Sequence, residues 1–201
     1  MRLLLLNISD IHVGTIDKQE NEGLVLSKFI VDVEEQIRKL HYDDIYVIIS
    51  GDLVFAASKD SYEKFDKTIV QELIRVLGID RSHFVIAPGN HDLKQSFIGD
   101  VEEAYLPIFR EKTEVGKFND LIRKPALAST LFGKFDDFMT YMTTTMGVND
   151  YSMTHNRFDL NDTWSIHYIN SAILWSRRDF LCLPKYHRQP IKEEVYVHDT
   201  M

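Results

Sequence analysis

The sequence has a single cysteine, Cys182, so no disulfide can form within the chain, and a reducing cytoplasmic compartment is the expectation. It also lacks any apolar run approaching the length that spans a bilayer. Met1-Arg2 followed by Leu3 to Leu6 has the look of a signal peptide, but the run is too short. Asn7, Ser9 and Asp10 end it with no small-residue cleavage site. Positive charge is scarce: 23 Lys and Arg stand against 31 Asp and Glu, a formal net charge of −8. That balance argues against broad, sequence-independent binding of nucleic acid, which needs a basic surface. A nuclease stays open, because a bound divalent cation reverses the field inside an acidic site. There is no internal repeat, low-complexity tract or clear linker, and 201 residues suit one domain, residues 1–201, with a substantial core.

What is present is an alternation of patterns. Leu3 to Ile8 is a continuous apolar run, read as a strand buried on both faces. From about Glu20 to Leu40, Leu24, Phe29, Ile30, Val33 and Ile37 recur at helical spacing, with Glu34, Glu35, Arg38 and Lys39 outside. Ile45 to Ile49 is a second strand, and a helix follows from about Asp60 to Leu77, stopped by Gly78. Phe84 to Ala87 is a third strand. Further on, helices are expected over Val101 to Glu114 and Leu131 to Met146, the latter weakened at its end by Thr143-Thr144-Thr145. Met153 to Leu160 and Trp164 to Ile169 read as a hairpin about Asn161-Asp162-Thr163, the second arm continuing as a core strand to Asn170-Ser171. From Ile173 onward Arg177-Arg178, Pro184 and Pro190 suggest a loop-rich path, with a short strand at Val195 to Val197.

Strand, helix, strand, helix, strand implies an α/β fold with a parallel sheet and right-handed crossovers. Such a sheet places every strand C-terminus on one edge, where open α/β sheets hold their sites. Here each strand end carries chemistry: Asp10-Ile11-His12, then Gly51-Asp52, then Gly89-Asn90-His91-Asp92. A Pro-Gly-Asn sequence alone is ordinary turn chemistry, but three polar clusters on one edge converge. Two carboxylates, an imidazole and an amide oxygen make a mixed oxygen and nitrogen donor set without a thiolate. It suits borderline or hard divalent ions, with Mn the first expectation and Fe, Zn, Ni or Mg the alternatives. Asp52, from the central strand end, is the natural bridge between two ions, which at about 3.5–4 Å apart clamp an in-line phosphoryl transfer.

In order and each after a strand, Asp10-x-His12, Gly51-Asp52 and Gly89-Asn90-His91-Asp92 resemble the first three motif blocks of the calcineurin-like metallophosphoesterases. The resemblance implies a layered α/β/β/α fold that hydrolyses a phosphate mono- or diester by metal-activated water at a dinuclear site. By the same resemblance, Asp10 and His12 bind the first metal, Asp52 bridges, and Asn90 binds the second. His91 is implied to be no ligand but the catalytic group that stabilises the transition state or protonates the leaving oxygen. Asp92 is implied to support it from behind, holding the loop or a ligand.

Departures from the family pattern shape the rest of the reading. Members usually add a Gly-His or His-His block and then Gly-His-x-His, supplying three more histidines, yet no Gly-His or His-x-His occurs in this sequence. His155, His167, His187 and His198 are read as surface or structural residues, His167 within a strand, and so are His41 and His83. Phe55 stands where many members place a polar partner for the catalytic histidine, so His91 is expected to lack its usual support or to find it elsewhere. The domain is therefore expected to be incomplete at its C-terminus, lacking its last strands. An exposed apolar patch near Trp164 to Trp175 would then drive self-association or be covered by a partner chain. No Asp-Arg-Gly follows the bridging Asp52, which argues against a Ser/Thr protein phosphatase and leaves a nucleotide or nucleic acid substrate. The competing reading is a non-catalytic or split module of the same fold, serving as a binding or assembly subunit.

Overall fold

The computed structural model describes residues 1–14, 19–94 and 123–174. Three strands form one parallel sheet: β1 (Leu3–Ile8), β2 (Asp44–Ser50) and β3 (Phe84–Ala87), in the order β1-β2-β3. Register pairs Leu6 with Val47 and Ile8 with Ile49, then Val47 with Phe84 and Ser50 with Ala87, so the three strands end nearly level. Ile45, Val47 and Ile49 of the central strand are buried, as is Ile86 beside them. β1 is different. Among the described residues it is an edge strand, with Leu5 46% exposed, not the doubly buried strand its apolar run suggested. A run of leucines reports hydrophobicity on both faces but not which strand takes the edge.

Helix α1 (Gln19–Ile37) crosses from β1 to β2 and buries Ile30, Val33 and Ile37. Leu26, spaced four residues before Ile30, joins this stripe, whereas Leu24 falls off it and is 56% exposed. The β2-to-β3 crossover is helical from Lys59 to Leu77, as expected, but not uniformly α. Helix α2 (Lys59–Phe65) gives way to a π-helical turn (Asp66–Val70) and then α3 (Gln71–Leu77). Ser58 caps the start, accepting from Ser61 N at 3.2 Å, and Gly78 ends it at φ +69°. The π turn points Asp66 inward, where Arg81 bonds it through two nitrogens at 2.6 and 2.9 Å.

A second helical run comprises α4 (Pro125–Phe132), a 3₁₀ turn (Gly133–Phe135), α5 (Asp136–Thr140) and a π turn (Tyr141–Thr145). It begins earlier than the expected Leu131, with Pro125 at its first turn. Phe138, Tyr141 and Met142 bring it into the main core with Tyr62 and Phe65 of α2, and the Tyr62 and Tyr141 rings stack at 5.3 Å. Thr143 and Thr144 bond back to the carbonyls of Met139 and Thr140, which loosens that end of the helix.

Strands β4 (His155–Asp159) and β5 (Ser165–Ile169) form a separate antiparallel hairpin. Asn161 Oδ1 accepts from Thr163 N and Trp164 N at 2.8 and 2.9 Å, closing the turn. β5 is not a core strand. Asn156, Phe158, Ile166 and Tyr168 face inward, while His155, Arg157, His167 and Ile169 are exposed on the outer face. Tyr151, just before the hairpin, ties it to the main sheet by donating to Ile86 O at 2.9 Å. Of the expected apolar exposure, Trp164 is 44% and Ile169 78% exposed. A 3₁₀ turn (Ser171–Leu174) follows β5, and its Ala172 and Ile173 pack with Leu93 and Phe135 into a smaller core cluster. The helix expected over Val101 to Glu114, Trp175, Cys182, His187, His198 and the strand expected at Val195 to Val197 lie outside the described residues. Among the described residues no helix is long and apolar enough to cross a membrane.

Candidate metal centre

Past the ends of β1 and β2 the chain continues as two loops bonded side by side. Asp10 N donates to Gly51 O at 3.2 Å, His12 N to Asp52 O at 3.0 Å, and Val13 N to Leu53 O at 3.1 Å. To keep these bonds while turning its side chains off the sheet edge, the backbone takes left-handed geometry at three residues that are not glycine. Asp10 has φ 56°, His12 φ 50° and Asp52 φ 53°. Each such residue costs about 1–3 kcal/mol and persists only where its surroundings enforce it. All three were singled out in the sequence as metal ligands.

The third strand end fits against this pair through two glycines. Gly51, at φ +100°, lies so close to Gly89 that a Cβ on it would sit 3.0 Å from the Gly89 Cα. A Cβ on Gly89 would fall 2.2 Å from Asp52 Oδ1 and 2.3 Å from Asp52 N, positions no side chain can share. This close approach lets His91 N donate to Asp52 Oδ1 at 2.9 Å. Beneath it Asp92, fully buried, accepts from Gly89 N at 2.8 Å, Leu53 N at 3.1 Å and Val54 N at 3.3 Å. The Tyr62 hydroxyl stands 3.1 Å from Asp92 O and 3.3 Å from its Oδ1. Burial pushes the Asp92 carboxyl up to about 7, with the nearby Asp52 charge adding to the rise and the three N–H donors opposing it. Asp92 thus staples the ends of β2 and β3 together from below and does not reach the surface.

Above this support one imidazole nitrogen faces both acids. His12 Nε2 lies 3.8 Å from Asp52 Oδ2 and 3.9 Å from Asp10 Oδ1. Those gaps are too long for hydrogen bonds but fit two ligands around one ion at roughly 2.0–2.2 Å each. Ligand atoms of His12, Asp52 and His91 all lie within 4.8 Å of one another. The donor set therefore suits a divalent ion on the chemistry of its atoms. Asp10 is the outermost of the group, its side chain 70% exposed, and Asn90 is half-buried at the same edge between Gly89 and His91.

Of the two expectations for His91, a missing partner or one found elsewhere, the structure shows the second. Phe55 does not deprive it of a partner, because the Phe55 backbone carbonyl accepts from Nδ1 at 2.9 Å. A loop carbonyl needs no particular side chain, so residue types alone gave no signal of it. With the proton on Nδ1, the neutral ring carries its lone pair on Nε2. The Phe55 ring meanwhile stands 5.6 Å from the His91 ring and 6.4 Å from that of His12, an aromatic wall on the site. Tyr62 and the backbone of Val54 are further contributors that sequence reasoning did not single out.

The calcineurin-like phosphoesterase family model matches residues 3–193, nearly the whole sequence. The chain belongs to the calcineurin-like phosphoesterase family. That membership joins a phosphoesterase chemistry to the His12, Asp52 and His91 cluster. A search of the curated proteins finds no significant match. The family's metal dependence and the observed cluster of imidazoles and carboxylate agree, and both point to divalent cations at this sheet edge.

Proposed function

We propose that the chain hydrolyses a phosphate mono- or diester at a dinuclear centre built from Asp10, His12, Asp52 and Asn90. The observation that carries this reading is the convergence of His12, Asp52 and His91 from three separate strand ends, with Asp52 on the middle one. Mn is the first choice of ion, with Fe, Zn, Ni and Mg as alternatives. Two such ions, when bound, supply an activated water and counter-charge for the phosphoryl oxygens. Asp52 would hold both ions, and its Oδ1 bond from His91 N ties this carboxylate to the Gly89–Asp92 turn. As the bond from the water oxygen to phosphorus forms, the ester bond breaks. His91, oriented by the Phe55 carbonyl, would act from its imidazolium form, giving the Nε2 proton to the departing oxygen and regaining one from the attacking water. Asp92 acts by holding the Gly89 turn and the Leu53–Val54 backbone in place. The acidic balance of the chain favours a small substrate such as a nucleotide, or a basic partner subunit if the substrate is a nucleic acid. We read residues 1–201 as a single domain of layered α/β/β/α type.

The deciding experiment is hydrolysis of a chromogenic phosphodiester with Mn added. Activity that Asp52→Asn abolishes is the expected result. Asn tolerates the left-handed backbone at position 52 and keeps an acceptor for His91 N, so the variant removes charge while sparing the fold. No hydrolysis with any of the five metals would instead assign the chain to the binding or assembly role.

A further inference from the structure

A second group of metal-ligating side chains lies on the outer face of the β4–β5 hairpin. Register pairs His155 with Ile169 and Arg157 with His167, which makes His155 and His167 diagonal neighbours on one sheet face. Both are exposed, and their rings lie at an interplanar angle of 30° with centroids 5.5 Å apart. His155 Nε2 is 3.2 Å from His167 Nδ1. Two imidazole nitrogens at that spacing have two ways to coexist. They can share one proton, or both lone pairs can turn to a common cation. At Zn–N distances of about 2.0–2.1 Å, two cis ligands stand roughly 2.9–3.4 Å apart, and the observed gap falls in that interval.

The hairpin is built to hold this geometry. Its inner face is anchored by buried Asn156, which donates to Ser152 O at 2.5 Å and to the Tyr168 hydroxyl at 2.6 Å. Tyr168 in turn packs between Tyr151 and Phe158. Arg157, on the same outer face, is drawn off to Asp159, with Nε 2.7 Å from Oδ1. We propose that His155 and His167 form a cross-strand bis-imidazole site that takes one borderline divalent cation, Zn or Cu in character, separate from the strand-end centre. Imidazole suits these ions, and Cu binds such a site most strongly of the first-row divalent series. The ion clamps β4 to β5, with solvent completing its coordination.

Equilibrium dialysis of the full chain against Cu tests this. His155→Gln and His167→Gln should each lower the bound stoichiometry by one ion per chain. The double variant should lose the same one ion and no more, because one site needs both rings. Nitrogen hyperfine structure in the copper resonance spectrum should lose its two-imidazole component in all three. Unchanged stoichiometry in either single variant overturns the proposal, and so does an additive loss of two ions in the double. Arg157→Ala, on the same face, should keep the ion; its loss there too would trace the effect to the hairpin's collapse and overturn the site.

Discussion

Two pairs of histidines show how one residue type is put to different use by its surroundings. His12 and His91 meet edge to face at 4.5 Å on the parallel sheet edge, where His12 and its neighbours Asp10 and Asp52 are held in left-handed backbone geometry. His155 and His167 lie on a regular antiparallel hairpin, on relaxed backbone, facing solvent. The first pair is expensive to build: three left-handed residues, two glycines in backbone contact and a buried carboxylate hold it. The second needs only strand alternation. A fold maintains strain where a reaction needs fixed geometry, whereas a surface pair asks only for register.

Breaking each pair in turn should give the largest contrast. His91→Ala should lower turnover of a phosphodiester by about 10²–10⁴-fold, the usual scale of a lost general acid. His155→Ala should leave the same rate within about twofold, as befits an exposed position. Comparable losses in the two variants would erase the distinction between the regions. A smaller change, Gly89→Ala, tests whether strain and close approach are what set the first pair apart. The added methyl falls on Asp52 Oδ1 and N, so Asp52 must move. We expect metal affinity at the strand ends to fall about 10–100-fold, the range seen when a ligand's support is disturbed, with Cu binding at the hairpin unaffected.

How much of this was legible from residue types follows the same division. The parallel sheet, the two crossovers and the convergence of Asp10, His12, Asp52, Asn90 and His91 on one edge could be read. Apolar strands alternating with amphipathic helices dictate that topology, and every polar cluster fell at a strand end. What could not be read depends on backbone or on tertiary choice. The Phe55 carbonyl orients His91, and any residue at 55 offers a carbonyl, so residue types left open where His91 finds its partner. Leu3 to Ile8 is apolar enough for the sheet centre yet lies at the edge of the sheet that the described residues form, and Trp164 to Ile169, apolar enough for a core strand, has a wet outer face. The π turn at Asp66–Val70 left no trace in the apolar spacing, because the helix resumes in phase with the core after it.

The buried support beneath the first pair offers a finer test, since the hairpin pair has nothing like it. Tyr62→Phe removes the hydroxyl that reaches Asp92 while keeping the ring stacked on Tyr141. Asp92 keeps its three N–H donors, so the loss should be that of one hydrogen bond, about 0.5–1.5 kcal/mol of unfolding free energy in urea. A larger loss would mean that Tyr62, more than the backbone amides, holds the carboxylate.

The smallest effect concerns acid. Asp66 is buried, which alone would raise its carboxyl, but bonds from Arg81, Gln71 and Tyr141 outweigh that and hold it below the usual range. A carboxylate whose folded value is depressed adds stability above its unfolded value, about 3.9, and loses it as the pH falls through the lower folded value. The clamp joins the π turn after α2 to the 3₁₀ turn (Arg81–His83) before β3, so it braces the crossover that delivers the Gly89 turn. Wild type should therefore exceed Asp66→Asn in urea midpoint at neutral pH, and the gap should close below about pH 3.9 as protonation makes the two side chains alike. The hairpin pair lies outside this linkage. Cu binding by His155 and His167, measured at neutral pH, should be the same in Asp66→Asn as in wild type. A gap that stayed constant from neutral to acid pH would show that Asp66 acts through its shape alone and not through its charge.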